Sequence, residues 1–328
     1  MAYTSRLDLR ETQEAIKFLK DTFEKRLAET LSLTRVSAPL FVLQNSGLND
    51  DLNGVERSVC FDIKETGEMA EVIHSLAKWK RYALGKYKFV PHTGLYTDMN
   101  AIRRDETCDA LHSIYVDQWD WEKVINPEDR TTAYLQETVR SIYAAICRVS
   151  AVVKALYPKL TIALPAEIHF VTSQQLEDMY PDATPKEREN RICEEYGAVF
   201  VTQIGKTLKS GGRHDGRAPD YDDWELNGDI LVYYPPLQQA VELSSMGIRV
   251  DKTSLAAQLK EAGKEERLAL MYHAALMNDE IPLTIGGGIG QSRLCMVLLE
   301  KAHVGEVQAS IWPQEMEKDC DQQGIFLL

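Results

Sequence analysis

Apolar positions spaced three to four residues apart open the chain. Ile16, Leu19, Phe23 and Leu27 recur among Lys17, Lys20, Asp21, Glu24 and Lys25, which predicts a surface helix with one apolar face running to about residue 31. The period then shortens. SAPLFVLQ and RSVCFDIK read as strands, the second turned by ETGE and returned by MAEVIHS as a hairpin, before LAKWKRYALGKY reverts to helical spacing. GLYTDMNAIRRDE and LHSIYVDQWDWE predict two strands joined by a polar loop, the second alternating apolar and polar side chains. Leu135, Val139, Ile142, Ile146, Val149 and Val153 mark a long helix over residues 133–157, ended by Pro158. Thr184, Pro185 and Glu187 supply an N-cap, a first-position proline and an acid at the third position, and Gly197 is placed to stop that helix before the strand AVFVTQI. A Gly-rich charged loop over 209–223 precedes the strand DILVYY, stopped by Pro235 and Pro236, and the strand AVELSSMGIRV. A helical run from 255 to about 277, a glycine-rich turn, a helix and a strand-like GEVQASIW follow. Hairpins precede helices without regular βαβ alternation. The expected fold class is therefore α+β, a mainly antiparallel β-sheet flanked by helices, in a single domain over residues 1–328.

Composition narrows the function classes. At 328 residues and 44% hydrophobic the chain can bury a substantial core. Its 37 Lys+Arg against 50 Asp+Glu leave a net charge of -13, the wrong sign for a protein that lives on nucleic-acid phosphates, so an anionic ligand must meet a local basic cluster. No apolar run approaches the roughly 18 residues of a membrane span, and the N-terminus is amphipathic, unlike a signal sequence. The expectation is a soluble, cytoplasmic protein with no nucleic-acid or membrane partner. Six cysteines lie far apart without zinc spacing and read as core residues or free thiols; the pair His214 and Asp215 finds no further ligand at metal spacing.

TIGGGIGQSR, residues 284–293, raises the question of chemistry. Glycines leading into the apolar helical run that starts at Leu294 suit a phosphate, because a helix N-terminus offers unpaired N–H groups and a positive dipole end. The segment lacks the G-x-x-x-x-G-K-[ST] of a P-loop, so close backbone packing is the competing reading. Arg293 favours an anion, as a fixed cation that gains only from a ligand's negative charge.

The order of motifs carries more than any one of them. GLYTDMNAIRRDE with LHSIYVDQWDWE, then GDILVYY with ELSSMGIRV, then TIGGGIGQSR resembles the catalytic core of class II aminoacyl-tRNA synthetases, with Arg103 and Arg293 matching its two signature arginines. HSLAKWKR, HSIYVDQWDWE, RAPDYDDW, LNGDILV and IGGGIGQSR together are similar to the ammonia-dependent asparagine synthetase family, the small relative of aspartyl-tRNA synthetase. The resemblance runs from the first helix to about Trp312; one departure is a trimmed segment between Trp224 and Leu226.

The resemblance implies a reaction and its residues. Aspartate's side-chain carboxylate attacks the α-phosphorus of ATP to give β-aspartyl-AMP and pyrophosphate, and ammonia then displaces AMP to yield asparagine. Both partners of the first step are anions, which calls for Arg103 and Arg293 with Mg²⁺ bridging phosphate oxygens. Asp229 and Glu242 match the acidic metal positions and, with Gly288 and Gly290, the nucleotide site. Lys80 and Ser75 are candidates to hold carboxylate, Gln118, Asp120 and Asp222 to hold the amino-acid head group, and Ser113 and Ser245 to lie near nucleotide and substrate. Asp50, in LNDDLNG, is the candidate to bind ammonium and act as base, with Asp222 in reserve. His74 reads as a sheet histidine, and Trp119, Trp121 and Trp224 as core anchors. Ala2, following Met1, leaves no N-terminal cysteine nucleophile of the glutamine-using kind, so free ammonia is the expected donor and no glutaminase domain is expected. No anticodon-binding domain is expected either, which sets aside tRNA charging. All three key residues, Arg103, Arg293 and Glu242, are present, which argues against a non-catalytic sensor of amino acid or AMP. A homodimer is the state the resemblance implies.

Overall fold

The computed structural model describes residues 3–50, 52 and 56–328. The opening helix α1 (Leu9–Leu31) starts on a capping box in which the Asp8 carboxylate accepts from the Glu11 N–H, and it buries Ala15, Leu19, Phe23 and Leu27. After it come the short strand β1 (Leu33–Arg35), β2 (Phe41–Leu43), the hairpin β3 (Cys60–Asp62) and β4 (Met69–Val72), and helix α2 (Ala77–Lys86). The long hairpin β5 (Gly94–Ile102) and β6 (Tyr115–Val124) leads to α3 (Thr132–Leu156). Then follow β7 (His169–Thr172), α4 (Ser173–Met179), α5 (Pro185–Tyr196) and β8 (Ala198–Thr202). The last third holds β9 (Asp222–Tyr234), β10 (Gln239–Arg249), α6 (Lys252–Glu261), α7 (Met271–Met277), β11 (Thr284–Gly290), α8 (Gln291–Leu298) and α9 (Gln314–Gln322). No helix among the described residues is long and apolar enough to cross a membrane.

Eight strands form one sheet in the order β1-β5-β6-β11-β10-β9-β8-β7, antiparallel except at its two ends, where β1 runs parallel to β5 and β7 to β8. Strands β2, β4 and β3 make a small separate sheet. This is the expected α+β architecture. Strand alternation sorts β6: Trp119 and Trp121 enter the core shared with α1, α3 and α8, while Gln118, Asp120 and Glu122 take the opposite face, which α2 covers.

Several segments differ from the sequence reading. The glycine run is the strand β11, enclosed between β6 and β10, instead of a turn. The helical run from 255 to 277 is broken, because Gly263 takes the left-handed φ of 64° and a short 3-10 turn follows before α7. GEVQASIW pairs with no strand among the described residues; it buries Val307 and Trp312 after a 3-10 turn that begins at Val304. Strands β1 and β7, of three and four residues, are too short for their period to register. The capping box at Thr184 and the Gly197 stop hold as read; Gly197 has φ 74° and a Cβ there would press on Pro165.

Candidate active site

The row that crosses the middle of the sheet assembles the site. In register, Asp229 of β9 lies opposite Ser245 of β10, Ser245 opposite Gly288 of β11, and Gly288 opposite Asp120 of β6. Partners in register share a face, so four residues from distant parts of the chain line up over three strand spacings, about 14 Å. Gly286, Gly288 and Gly290 stand opposite Glu122, Asp120 and Gln118. A Cβ on Gly288 would collide with Gln118 Oε1 and Asp120 Oδ1, and one on Gly286 with Glu122 Oε2. The glycines therefore make room for acidic and amide side chains of the neighbouring strand. The start of α8 is not an open phosphate cradle either, because its Ser292 N–H donates to Asp117 Oδ1 at 3.0 Å.

Over Ser245 and Gly288 of this row lies a cavity of about 390 Å³, within the range of a small-ligand site. Arg103, Ser113, Gln118, Glu242, Ser245, Gly288, Gly290 and Arg293 all line it. Arg103 follows the end of β5 and is fixed by its N–H, which donates to Ile114 O at 2.8 Å; its Nε is buried with no partner among the described residues. Arg293, in the first turn of α8, donates from Nη1 to Glu242 O at 3.2 Å and lies 3.5 Å from Glu242 Oε2. Ser113 Oγ donates to Ser310 Oγ at 2.8 Å. The two guanidinium groups thus border one space although 190 positions separate them in the chain.

The remaining candidates do not line that space. Lys80 Nζ donates to Asp120 Oδ1 at 3.1 Å and to Gly287 O at 2.9 Å, so the pair forms a buried prop behind the cavity floor. Asp222 is buried against the Arg249 guanidinium, which also grips Glu122 at 2.7 Å. Burial raises the Asp222 carboxyl, against the pull of Arg249 and Arg217, whereas Glu122, also raised by burial, is brought below its ordinary value by Arg249, Lys80 and Thr284. Ser75 Oγ donates to Asp50 Oδ2 at 3.2 Å, and Asp50 Oδ1 accepts from the Leu52 N–H at 3.0 Å. Asp51, Asn53 and Gly54 of the same loop lie outside the described residues. Asp50 faces an adjoining side cavity and not the main one.

Asp229 pairs with Arg217 through Oδ2, while its Oδ1 is buried with no partner among the described residues. Burial pushes the Asp229 carboxyl up to about 7 against Arg217, and the charge of nearby Glu242 adds to the rise. No group of three or more His, Cys, Asp or Glu among the described residues is arranged to hold a metal, and His214 is committed to Glu189 at 3.1 Å. Two adjacent carboxylates with an unfilled oxygen do fit Mg²⁺, which uses one or two carboxylates and completes its shell with phosphate and water.

Among the cavity residues that the sequence reading did not carry as site candidates are His74, Arg217 and Tyr221. Arg217 and Tyr221 stand in RAPDYDDW, where the neighbouring aspartates drew attention; a cation in an acidic loop was the available signal. His74 adjoins the Ser75 and Lys80 segment and offered none.

An eight-stranded, mostly antiparallel sheet with helices, its cavity glycine-lined and bordered by arginines, defines a class II synthetase-like fold. Solved structures agree. Asparaginyl-tRNA synthetase from Pyrococcus horikoshii, complexed with asparaginyl-adenylate, superposes with a TM-score of 0.65 over 92% of this chain and 70% of that chain at 16% identity. The Entamoeba histolytica asparaginyl-tRNA synthetase gives 0.64 over 92% and 67% at 15% identity. The family described as aspartate-ammonia ligase matches residues 10–324, and the chain belongs to that family. An aspartate--ammonia ligase from Ligilactobacillus salivarius is 59% identical over 328 residues, 99% of this chain and 98% of the relative. One from Ruminiclostridium cellulolyticum is 60% identical over 327 residues, 99% and 97% respectively.

Proposed function

We propose that this chain, acting as a single catalytic domain, makes L-asparagine from L-aspartate, ATP and ammonia through β-aspartyl-AMP, releasing AMP and pyrophosphate. A side-chain carboxylate is a poor electrophile until one oxygen becomes part of a good leaving group, and transfer of the adenylyl group supplies one. The observation that carries this reading is the convergence of Arg103 and Arg293 on one cavity that Ser245 and Gly288 also line. Positive charge fixed beside the α-phosphate lowers the barrier to attack by an anion.

In this reading Arg103, whose Nε lacks a partner among the described residues, grips the α-phosphate, and Arg293, braced on Glu242, takes the tail of the triphosphate. Ser113, Gly288 and Gly290 border the nucleotide. Gln118 and Ser245 contact the amino acid, and Lys80, Asp120 and Asp222 set the charge beneath it; with Ser75 steadying Asp50, that carboxylate binds the nitrogen donor and serves as a base. Asp229 and Glu242 would hold Mg²⁺, which neutralises charge on bridging phosphate oxygens when bound. The molecule is read as a homodimer paired through α1 and the edge strand β1, working in the cytoplasm.

Incubation with aspartate, ATP, Mg²⁺ and isotopically labelled ammonium tests the reaction. Labelled asparagine, AMP and pyrophosphate are expected in equal amounts. ADP in place of AMP refutes the adenylate route.

A further inference from the structure

A side cavity of about 200 Å³ abuts the main one, and His74 and Glu56 line both. Its walls carry four carboxylates, Asp50, Glu56, Glu71 and Asp220, against the cations Lys78 and Arg267. An acidic lining alone defines no site. Here, however, polar atoms of fully enclosed side chains border it without a partner among the described residues: His74 Nε2 and Asp220 Oδ1, on side chains 1% and 0% exposed.

The other ring nitrogen shows what His74 offers. Nδ1 lies 2.9 Å from the backbone carbonyl of Asp50, and a carbonyl only accepts, so Nδ1 carries the hydrogen and Nε2 presents a bare lone pair. Asp220 Oδ1 is likewise an acceptor. Unfilled acceptors inside a negatively charged chamber complement a small cation rich in N–H donors. The same histidine stands where the chamber meets the space assigned to the adenylate.

We infer that the side cavity is the entry and holding site for ammonium, and that His74 Nε2 takes the proton whose loss turns ammonium into the attacking amine. The inference rests on the adenylate reading above. One proton of NH₄⁺ passes to Nε2, giving an imidazolium that faces the acidic wall. The freed lone pair forms the C–N bond at the β-carbonyl carbon, and the C–O bond to phosphate breaks with its electron pair leaving on AMP. The surplus proton on nitrogen goes to the Asp50 carboxylate, and both protons pass to water.

Two variants and two nucleophiles test this in the purified full chain. His74→Gln keeps an acceptor but cannot take the proton. Aspartate-dependent exchange of pyrophosphate into ATP should stay within about twofold of the unaltered protein, while asparagine formation from ammonium falls about 100-fold or more. Hydroxylamine, largely unprotonated at neutral pH, should still give the hydroxamate at close to the unaltered rate. Glu71→Gln, at the half-buried rim, should raise the KM for ammonium several-fold with the KM for aspartate unchanged. Unchanged ammonium use in His74→Gln overturns the inference, and so does equal loss with ammonium and hydroxylamine. If His74→Gln fails to fold, an unchanged ammonium KM in Glu71→Gln overturns it. Absence of pyrophosphate exchange in the unaltered protein strikes the adenylate reading itself.

Discussion

Arg103 and Arg293 differ in what holds them. Arg293 is tied to the Glu242 carbonyl and carboxylate, whereas the Arg103 Nε has its hydrogen-bonding capacity open. Neither props the core, so Arg103→Ala and Arg293→Ala are each expected to lower pyrophosphate exchange by at least about 10²–10³-fold while leaving the urea unfolding midpoint in place. Arg249 is the opposite case. It sits between Glu122 and Asp222 with all three side chains buried, and Arg249→Met would strand two acids; a loss of about 3–5 kcal/mol in urea unfolding is expected. Asp229 adds a pH dependence. Burial lifts its folded pKa to about 7, well above the ordinary range of an aspartate, so the native state holds the proton more tightly, and this group's contribution to stability declines as pH climbs from about 4 to about 7. Asp229→Asn should remove that decline, seen as a stability difference from the unaltered protein that shifts in the variant's favour across the window by up to about 1.4 kcal/mol per pH unit.

At the scale of the element, β11 works through what it lacks. Gly286 sits where Glu122 and the Arg249 Nη2 meet, and a methyl group there must displace one of them. Gly286→Ala is expected to cost several kcal/mol in thermal unfolding, of the order seen when a buried ion pair is broken, although the backbone φ is ordinary for any residue. The same strand explains what the sequence could and could not say. Ile16, Leu19, Phe23 and Leu27, and likewise Leu135 to Val153, announced their helices because burial on one face is a local periodic property. Glycine carries no such period. TIGGGIGQSR therefore read as a turn, and only the acids of β6, over 160 positions away, show why the run must be extended and bare. Site membership divides along similar lines. Arg103 and Arg293 were legible through motifs, while His74 gains its significance from a carbonyl 24 positions earlier and from two cavities that no linear pattern encodes.

Taken whole, the molecule is one broad sheet with helices α1, α3 and α8 behind it and its chemistry in front. Strand β1 ends the sheet with one edge unpaired among the described residues, and light scattering is expected to report twice the chain mass if that edge and α1 meet a second copy. The sheet order carries a consequence for biogenesis. β11 is the last strand to leave the ribosome, yet it is the seam between β6 on one side and β10 on the other. Until it emerges, the nascent polypeptide can hold only two half-sheets with raw edges, vulnerable to sticking to one another or to neighbouring chains. Translation that stalls before residue 284 would thus leave something both inert and adhesive, so competence and a closed sheet arrive together with a handful of glycines.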